Sequence, residues 1–539
     1  MKYLKKKWFK SGLLAFVFLF NLLFLSDTSY AYSDNEQSLW EVKYLIQNNS
    51  IYNLSEEGIN SQDISEVIKN LKDPYSEYYT KEEFNEFVRA INQNFYGIGI
   101  YNELVTEGIK INSFLKGSSA EEAGLKVGDI ITSVDGKGIK GLTASEAVKY
   151  IKGGKGTFVN LSVKRGEQVL NFSVERREIN IPTIEGELLD NKVAYIIISS
   201  FGEDTPSLLK EKLIDMNKKG AEKYIIDLRN NTGGYTNSAY DILGYFIEDN
   251  IATVMKDKDK NEYKYKAFKH DYVINKDIIL LVNEYTASAS EILSAALRDY
   301  NKALIVGIKT YGKGVQQTIF SLSNGDVLKL TTHSFYSPLG KEINNVGIMP
   351  NVNTNKIDPL KVAKLLFSGN KSIDNKKLLK LLQNNKEYYI DLEKGRSKEY
   401  WDALKYIVNT STEGSLFLGK GINWTKLTEE DIKENFNVYF NDYTKMPKLV
   451  KSKEKAVFKI KLNKNVDINT VGANSIKLIQ EETFEEVKIN YDVENKDEII
   501  LYPVEAAKLQ GDYFLIIEGL KGEEGGKLKN KVALPVHFE

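Results

Sequence analysis

Apolar residues between Ser38 and Phe95 recur at helical spacing in "LWEVKYLIQNN", "DISEVIKNL" and "KEEFNEFVRAINQNF", with a break at "DPYSEYYT". This pattern predicts an α-helical lead-in over residues 32–95. From residue 96 to 177 the pattern shifts to short alternating strands punctuated by glycine, with helical pieces near Ser119–Ala123 and Ala144–Ile151. That predicts a small β domain. Over residues 178–354 apolar strands such as "KVAYIIISS", "KYIIDL", "DIILLV" and "ALIVG" alternate with helical segments. Fully apolar strands between helices predict an α/β core. Residues 355–445 again read as helical, in "KIDPLKVAKLLFSGN", "KKLLKLLQNN" and "RSKEYWDALKYIVNTS", and offer no assignable chemistry, so a helical spacer is expected. From 446 to 539, alternation in "AVFKIKLNKNV", "SIKLIQEE", "EEVKINYDV", "DEIILYPV" and "GDYFLIIEGL" predicts a β-sandwich. The fold class is multidomain α+β.

The first thirty-one residues differ from all of this. Lys2, Lys5, Lys6, Lys7 and Lys10 precede an apolar run from Leu13 to Leu25, and Ser29-Tyr30-Ala31 closes it with small residues. This is the layout of a secretory signal, which predicts an exported protein, or a membrane-anchored one if the signal is retained. Its loss removes five lysines and Asp27, taking the net charge from −1 to −5. With 73 basic against 74 acidic residues there is no long-range positive field, which excludes nucleic acid as a partner. Cysteine is absent, which excludes disulfides and thiol catalysis.

Two strand ends in the core carry candidate chemistry. One is "DLRNNTGG", where a strand runs into Gly233-Gly234, whose N–H groups could face an anion; the other is "ASASEILSAALRDY" after "DIILLVNEYT". Ser288 and Glu291 fit the S-x-x-E capping box, with Ile292, Leu293, Ala296, Leu297 and Tyr300 forming one apolar helix face. A serine at such a strand-to-helix turn is also where a nucleophile gains exposure and an adjacent N–H. The three histidines, His270, His333 and His537, form no recognisable pattern with it, so any activation must come from another base. Gly307, Gly312 and Lys313 begin a G-x-x-x-x-G-K phosphate loop, but Gly314 stands where Ser or Thr would hold magnesium and a strand follows. A nucleotide site is excluded on those grounds.

Residues 96–177 resemble a PDZ domain through Gly97-Ile98-Gly99-Ile100, Ser119-Ala120, Ala123-Gly124-Leu125, Val127-Gly128-Asp129-Ile130-Ile131 and Val134-Asp135-Gly136. The resemblance implies that the Gly97–Ile100 loop captures a peptide's terminal carboxylate while the peptide adds a strand to the sheet. From Leu39 to Val352 the chain resembles the carboxyl-terminal processing proteases, tail-specific serine peptidases. The resemblance rests on "LKDPYSEYYTKEEF", "DLRNNTGG", "VNEYTASASEI", "YGKGVQQ" and "NNVGIMPNV", which occur in family order. It implies a crotonase-like peptidase core with Ser288 as nucleophile and Lys313 as base. It further implies Gln317 orienting the lysine, Glu291 as an acidic residue of open role, and an oxyanion hole from Ala289 with Gly233 or Gly234. "NTGG" in place of N-P-G-G, "YT" before Ala287, and valine after Gly314 depart from the family pattern without removing a reacting group.

Since an ordinary lysine has a pKa of about 10.4, Lys313 must be desolvated to serve as a base. The expected function is cleavage of proteins near exposed apolar C-terminal tails through an acyl-enzyme, with no metal or cofactor. The contrasting reading is a catalytically silent PDZ and immunoglobulin-like scaffold at the cell surface. The C-terminal strands resemble an immunoglobulin-like module, for which a cell-wall or surface partner and a purely structural role both stand open. Homo-oligomerisation through the helical lead-in is open as well.

Overall fold

The computed structural model describes residues 34–539 except 435 and 529. The signal reading of residues 1–31 lies outside the described residues.

The lead-in folds as helices Asp34–Asn49, Glu56–Asn60, Ile64–Asn70 and Lys81–Ile91. Thr80 and Glu83 close a capping box at the last of these, which satisfies N–H groups that have no intrahelical acceptor. The "DPYSEYYT" break becomes a strand, Glu77–Tyr79, paired antiparallel to Val327–Tyr336 with Glu77 opposite Lys329. Leu39, Val42, Ile46, Val67 and Leu71 share a small core with Leu322, Leu328 and Leu330. The lead-in thus shares its core with the strand Val327–Tyr336 and the residues just before it, apart from the core of the central sheet.

Strands Ile100–Val105, Gly108–Phe114, Ile130–Val134, Phe158–Arg165 and Gln168–Glu175 form the β domain, with helices Ser119–Glu122 and Ala144–Ile151 beside them. Its own core includes Ile98, Ile109, Ile131, Leu161 and Val163. Ile100–Val105 pairs only with Gly108–Phe114, so its outer edge is open. A two-stranded ribbon, Asn94–Gly97 with Arg177–Asn180, connects this domain to the rest.

The central sheet runs in the order Ile184–Leu189, Val193–Ile198, Lys223–Asp227, Asp277–Val282, Ala303–Gly307 and Val352–Asn353. All neighbours are parallel except the first pair. Alternation sorts the apolar run: Ile278, Leu280 and Val282 join the core with helices Thr205–Lys218, Thr236–Ile247 and Ala289–Asp299, whereas Ile279 and Leu281 face the other way.

That second face corrects the expected spacer. Residues 355–445 include helices Pro359–Leu366 and Trp401–Thr410, but "KKLLKLLQNN" forms the hairpin Leu378–Gln383 with Lys386–Asp391. Leu416–Lys420 and Asn423–Lys426 complete a four-stranded antiparallel sheet. Asn384 and Asn385 both adopt positive φ, at 53° and 59°, the conformation of a tight two-residue hairpin turn. Leu365, Leu366, Leu379, Leu381, Trp401, Leu404 and Ile407 pack against Ile225, Ile279, Leu281, Leu304 and Val306. The segment is the cover of the sheet's second face.

Residues beyond 445 form two sheets on a common core that includes Phe458, Ile476, Leu478, Leu501, Leu515 and Phe538. Ile479, Phe514, Ile516 and Ala533 join the preceding segment's core. The Trp401 indole N–H donates to the Glu481 carbonyl at 2.9 Å.

Candidate active site

Both strand ends singled out in the sequence meet at the carboxyl edge of the central sheet, as ligand sites in open α/β sheets do. Asn231 is the buried node between them. Its side-chain amide donates to the Ile198 carbonyl at 2.7 Å, and its own carbonyl accepts from the Ala287 N–H at 3.1 Å and from Ser290 Oγ at 2.9 Å. Thr286 Oγ1 donates to the Leu228 carbonyl at 2.8 Å. These bonds hold the glycine turn against the serine turn so closely that a Cβ on Gly233, whose φ is 106°, would lie 2.9 Å from Ser288 Cβ.

Ser288 has φ 59° and ψ −118°, a conformation that costs a non-glycine residue of order 1–3 kcal/mol. Such a turn lifts the hydroxyl clear of the helix it precedes. Glu291 returns to accept from the Ser288 N–H at 3.0 Å, and the Glu291 N–H bonds the Ser288 carbonyl at 2.8 Å. The cap therefore does not depend on the Ser288 hydroxyl.

Glu291, whose role the sequence left open, is fully buried and accepts four hydrogen bonds. They come from Thr310 Oγ1 at 2.5 Å, the N–H groups of Gly312 and Lys313 at 2.8 Å each, and the Ser288 N–H. One carboxylate thus ties the lysine loop to the serine turn. Burial raises its pKa, and the hydrogen bonds oppose that rise. The "NNVGIMPNV" motif braces the same loop from outside: Asn345 N–H donates to the Gly312 carbonyl at 2.8 Å and Ile348 N–H to Thr310 Oγ1 at 2.7 Å.

Lys313 is half-buried, and desolvation first, then the positive charge of Lys329, lowers its pKa to about 8 against the opposing pull of Asp73, Glu77 and Glu291. At pH 7 roughly a tenth of it is neutral, against fewer than about one in a thousand for an ordinary lysine. No hydrogen bond joins its Nζ to Ser288 Oγ among the described residues; Nζ lies 4.6 Å over the Tyr75 ring instead.

Two expectations change at this level. Gln317 does not bond Lys313: a bulge between Gln316 and Gln317 shifts the strand register, and the amide donates to the cross-strand Thr331 Oγ1 at 3.1 Å. The Gly233 N–H is already engaged by Asn231 Oδ1 at 2.9 Å. The Gly234 N–H has no acceptor among the described residues, and Ala289 opens its helix, where the first N–H groups lack intrahelical partners. Tyr75, Asn231, Glu77 and Lys329 escaped sequence reasoning, although the first three lie inside motifs it quoted.

Among the described residues the Gly97–Ile100 loop makes no hydrogen bond to the serine turn. Ile98 is buried and its carbonyl accepts from the Ala120 N–H at 3.0 Å; Gly99 has φ 77°. The N–H groups of Ile98 and Gly99 have no acceptor among the described residues, beside the open edge of Ile100–Val105.

Residues 97–175 match the model of the PDZ domain, and residues 192–354, which hold Ser288 and Lys313, match that of peptidase family S41. Two proteins named "Probable CtpA-like serine protease" are similar to this chain. That of Staphylococcus aureus (strain bovine RF122 / ET3-1) is 38% identical over 312 residues, 57% of this chain and 63% of the relative. That of Staphylococcus epidermidis is 36% identical over 324 residues, 59% and 66%. The chain spans just under two thirds of the length of these relatives. Among solved structures it is similar to a photosystem II D1 C-terminal processing protease at 20% identity, with a TM-score of 0.40, covering 62% of this chain and 95% of that one.

Proposed function

We propose that the protein is an exported serine endopeptidase that cuts proteins near exposed apolar C-terminal tails. Ser288 is the nucleophile and Lys313 its base. The neutral amine takes the Ser288 proton as Oγ attacks the peptide carbonyl; the ammonium returns that proton to the leaving amine, and water then releases the acyl group from Ser288. The N–H groups of Ala289 and Gly234 are the donors suited to the developing oxyanion. The Gly97–Ile100 loop receives the tail carboxylate, and the tail adds a strand along Ile100–Val105. The similarity to CtpA-like serine proteases supports the activity.

The observation that carries the reading is the placement of the lysine: within the segment that matches peptidase family S41, Glu291 accepts from the Lys313 N–H and from the Ser288 N–H and so ties the two loops together, and burial lowers the lysine's pKa. The test is digestion of an unfolded protein with a free apolar C-terminus by the mature chain, beside its Ser288→Ala and Lys313→Ala forms. Cleavage is expected from the parent and a loss of at least about 10³-fold in each variant, with melting temperatures retained. Substantial activity in either variant sinks the dyad. Equal cleavage of amidated and free tails removes carboxylate capture. No cleavage by any form favours the silent scaffold, for which the absence of a bond from Lys313 to Ser288 speaks.

A further inference from the structure

Resting on the assignment of Lys313 as the base, we propose that Tyr75 is its positioning residue: in the substrate-free chain the ring face holds the ammonium form of Lys313 off Ser288, and neutralisation of the amine releases it toward the serine.

The groups that face Lys313 come from every element around it: Asp73, Tyr75 and Glu77 from the lead-in, Glu291 from the serine helix, and Lys329 from the crossing strand. The acidic groups are occupied elsewhere. Glu77 pairs with Lys329, Glu291 accepts its four hydrogen bonds, and Asp73 accepts from Ser76 Oγ at 2.5 Å and from the Tyr75 N–H at 3.1 Å. Lys313 makes no salt bridge among the described residues, which leaves Nζ on the Tyr75 ring at 4.6 Å. A ring face attracts a cation through its quadrupole and has no such hold on a neutral amine. The contact therefore discriminates between the two protonation states that catalysis must exchange.

The ring is held in place. Ser76 Oγ accepts from the Thr331 N–H at 3.0 Å, and the following residues pair with the strand that carries Lys329. Burial, and after it the neighbouring Tyr311, raises the Tyr75 hydroxyl pKa, so the ring stays a neutral phenol. Tyr311 belongs to the lysine loop, and its N–H donates to the Thr286 carbonyl at 3.0 Å, two residues before Ser288. The lead-in is thereby coupled to the base through a contact that the lysine's own charge switches.

The experiment is a pH titration by NMR of the full mature chain with 13Cε-labelled lysine, the Lys313 signal being identified by its loss in Lys313→Arg. In Tyr75→Leu the midpoint is expected to fall by about half a unit to one and a half units, because the ammonium loses its ring, while Tyr75→Phe keeps the parent value. If Tyr75→Leu does not fold, pentafluorophenylalanine at position 75 keeps the ring's shape while reversing its quadrupole, and the same fall is expected. An unchanged or raised midpoint, or an equal fall in Tyr75→Phe, overturns the proposal. The titration needs no substrate. Failure of the peptidase reading shows separately, as a parent chain that titrates as described and cleaves nothing.

Discussion

The two faces of the central sheet are covered by different kinds of chain. The first face is covered by the three helices Thr205–Lys218, Thr236–Ile247 and Ala289–Asp299, each lying in sequence between strands of the sheet it covers. One of them also begins just after Ser288, the proposed nucleophile. The second face is covered by residues 359–440, a four-stranded antiparallel sheet with the helices around it, which arrive only after the last strand of the central sheet, Val352–Asn353, has been laid down. Both faces bury comparable rows of Ile, Leu and Val, so the hydrophobic demand is the same. The proposed site sits on one cover, and the other supplies apolar surface.

The strongest way to break this comparison is to remove the second cover. Truncation after residue 354 exposes Ile225, Ile279, Leu281, Leu304 and Val306 together, all of them buried in the full chain. At roughly 1.5–3 kcal/mol for each buried aliphatic side chain, the loss matches or exceeds the whole ~5–15 kcal/mol by which a domain is stable. Residues 34–354 alone are expected to be insoluble or to lack a cooperative melt by circular dichroism. A soluble fragment melting near the full chain would show that the second cover is dispensable after all.

The same contrast explains what was legible in the sequence. The serine and glycine turns were visible because their signals are local: an apolar strand, small or polar residues, then a helix face. The PDZ domain was visible through a series of glycines in order, of which Gly99, Gly124, Gly128 and Gly136 do adopt positive φ. The hairpin at 378–391 was misread because "LLKLLQ" is too short and too apolar to distinguish period 3.6 from period 2. The informative residues were Asn384 and Asn385, the turn itself. Tyr75 and Gln317 failed for another reason. Tyr75 meets Lys313 from a segment distant in sequence, and a bulge sets Gln317 opposite Thr331 on the neighbouring strand, which no local pattern encodes.

A smaller change sharpens the comparison from the catalytic side. Glu291→Gln preserves shape but replaces one acceptor oxygen with a donor, and in either orientation two of the four N–H or O–H donors face an NH2 group. Each buried donor left unpaired costs about 1–3 kcal/mol. Thermal melts should fall by that order. Turnover measured well below the melting temperature should fall further than the melt implies, since the serine turn and the lysine loop lose their common tie. A variant with the parent's melt and turnover would show that the carboxylate is not what joins them.

The smallest effect concerns the charge beside the base. Lys329 lies opposite Glu77 and lowers the pKa of Lys313 by like-charge repulsion, second only to burial. With Lys313 as the proposed base, the neutral amine is the reactive form and exists above the lysine's pKa, so kcat/KM should rise with pH through about 8 and level off above it. Lys329→Gln removes the repelling charge and frees Glu77 to attract the Lys313 ammonium. Both changes act in the same direction and raise the pKa. The acid limb of the pH profile should therefore move to higher pH by up to about one unit, with the plateau little changed, whereas Lys329→Arg should leave the limb in place. A limb that stays where it was in Lys329→Gln would mean that burial alone tunes the base, and that the lead-in strand carrying Glu77 supplies cover and no charge.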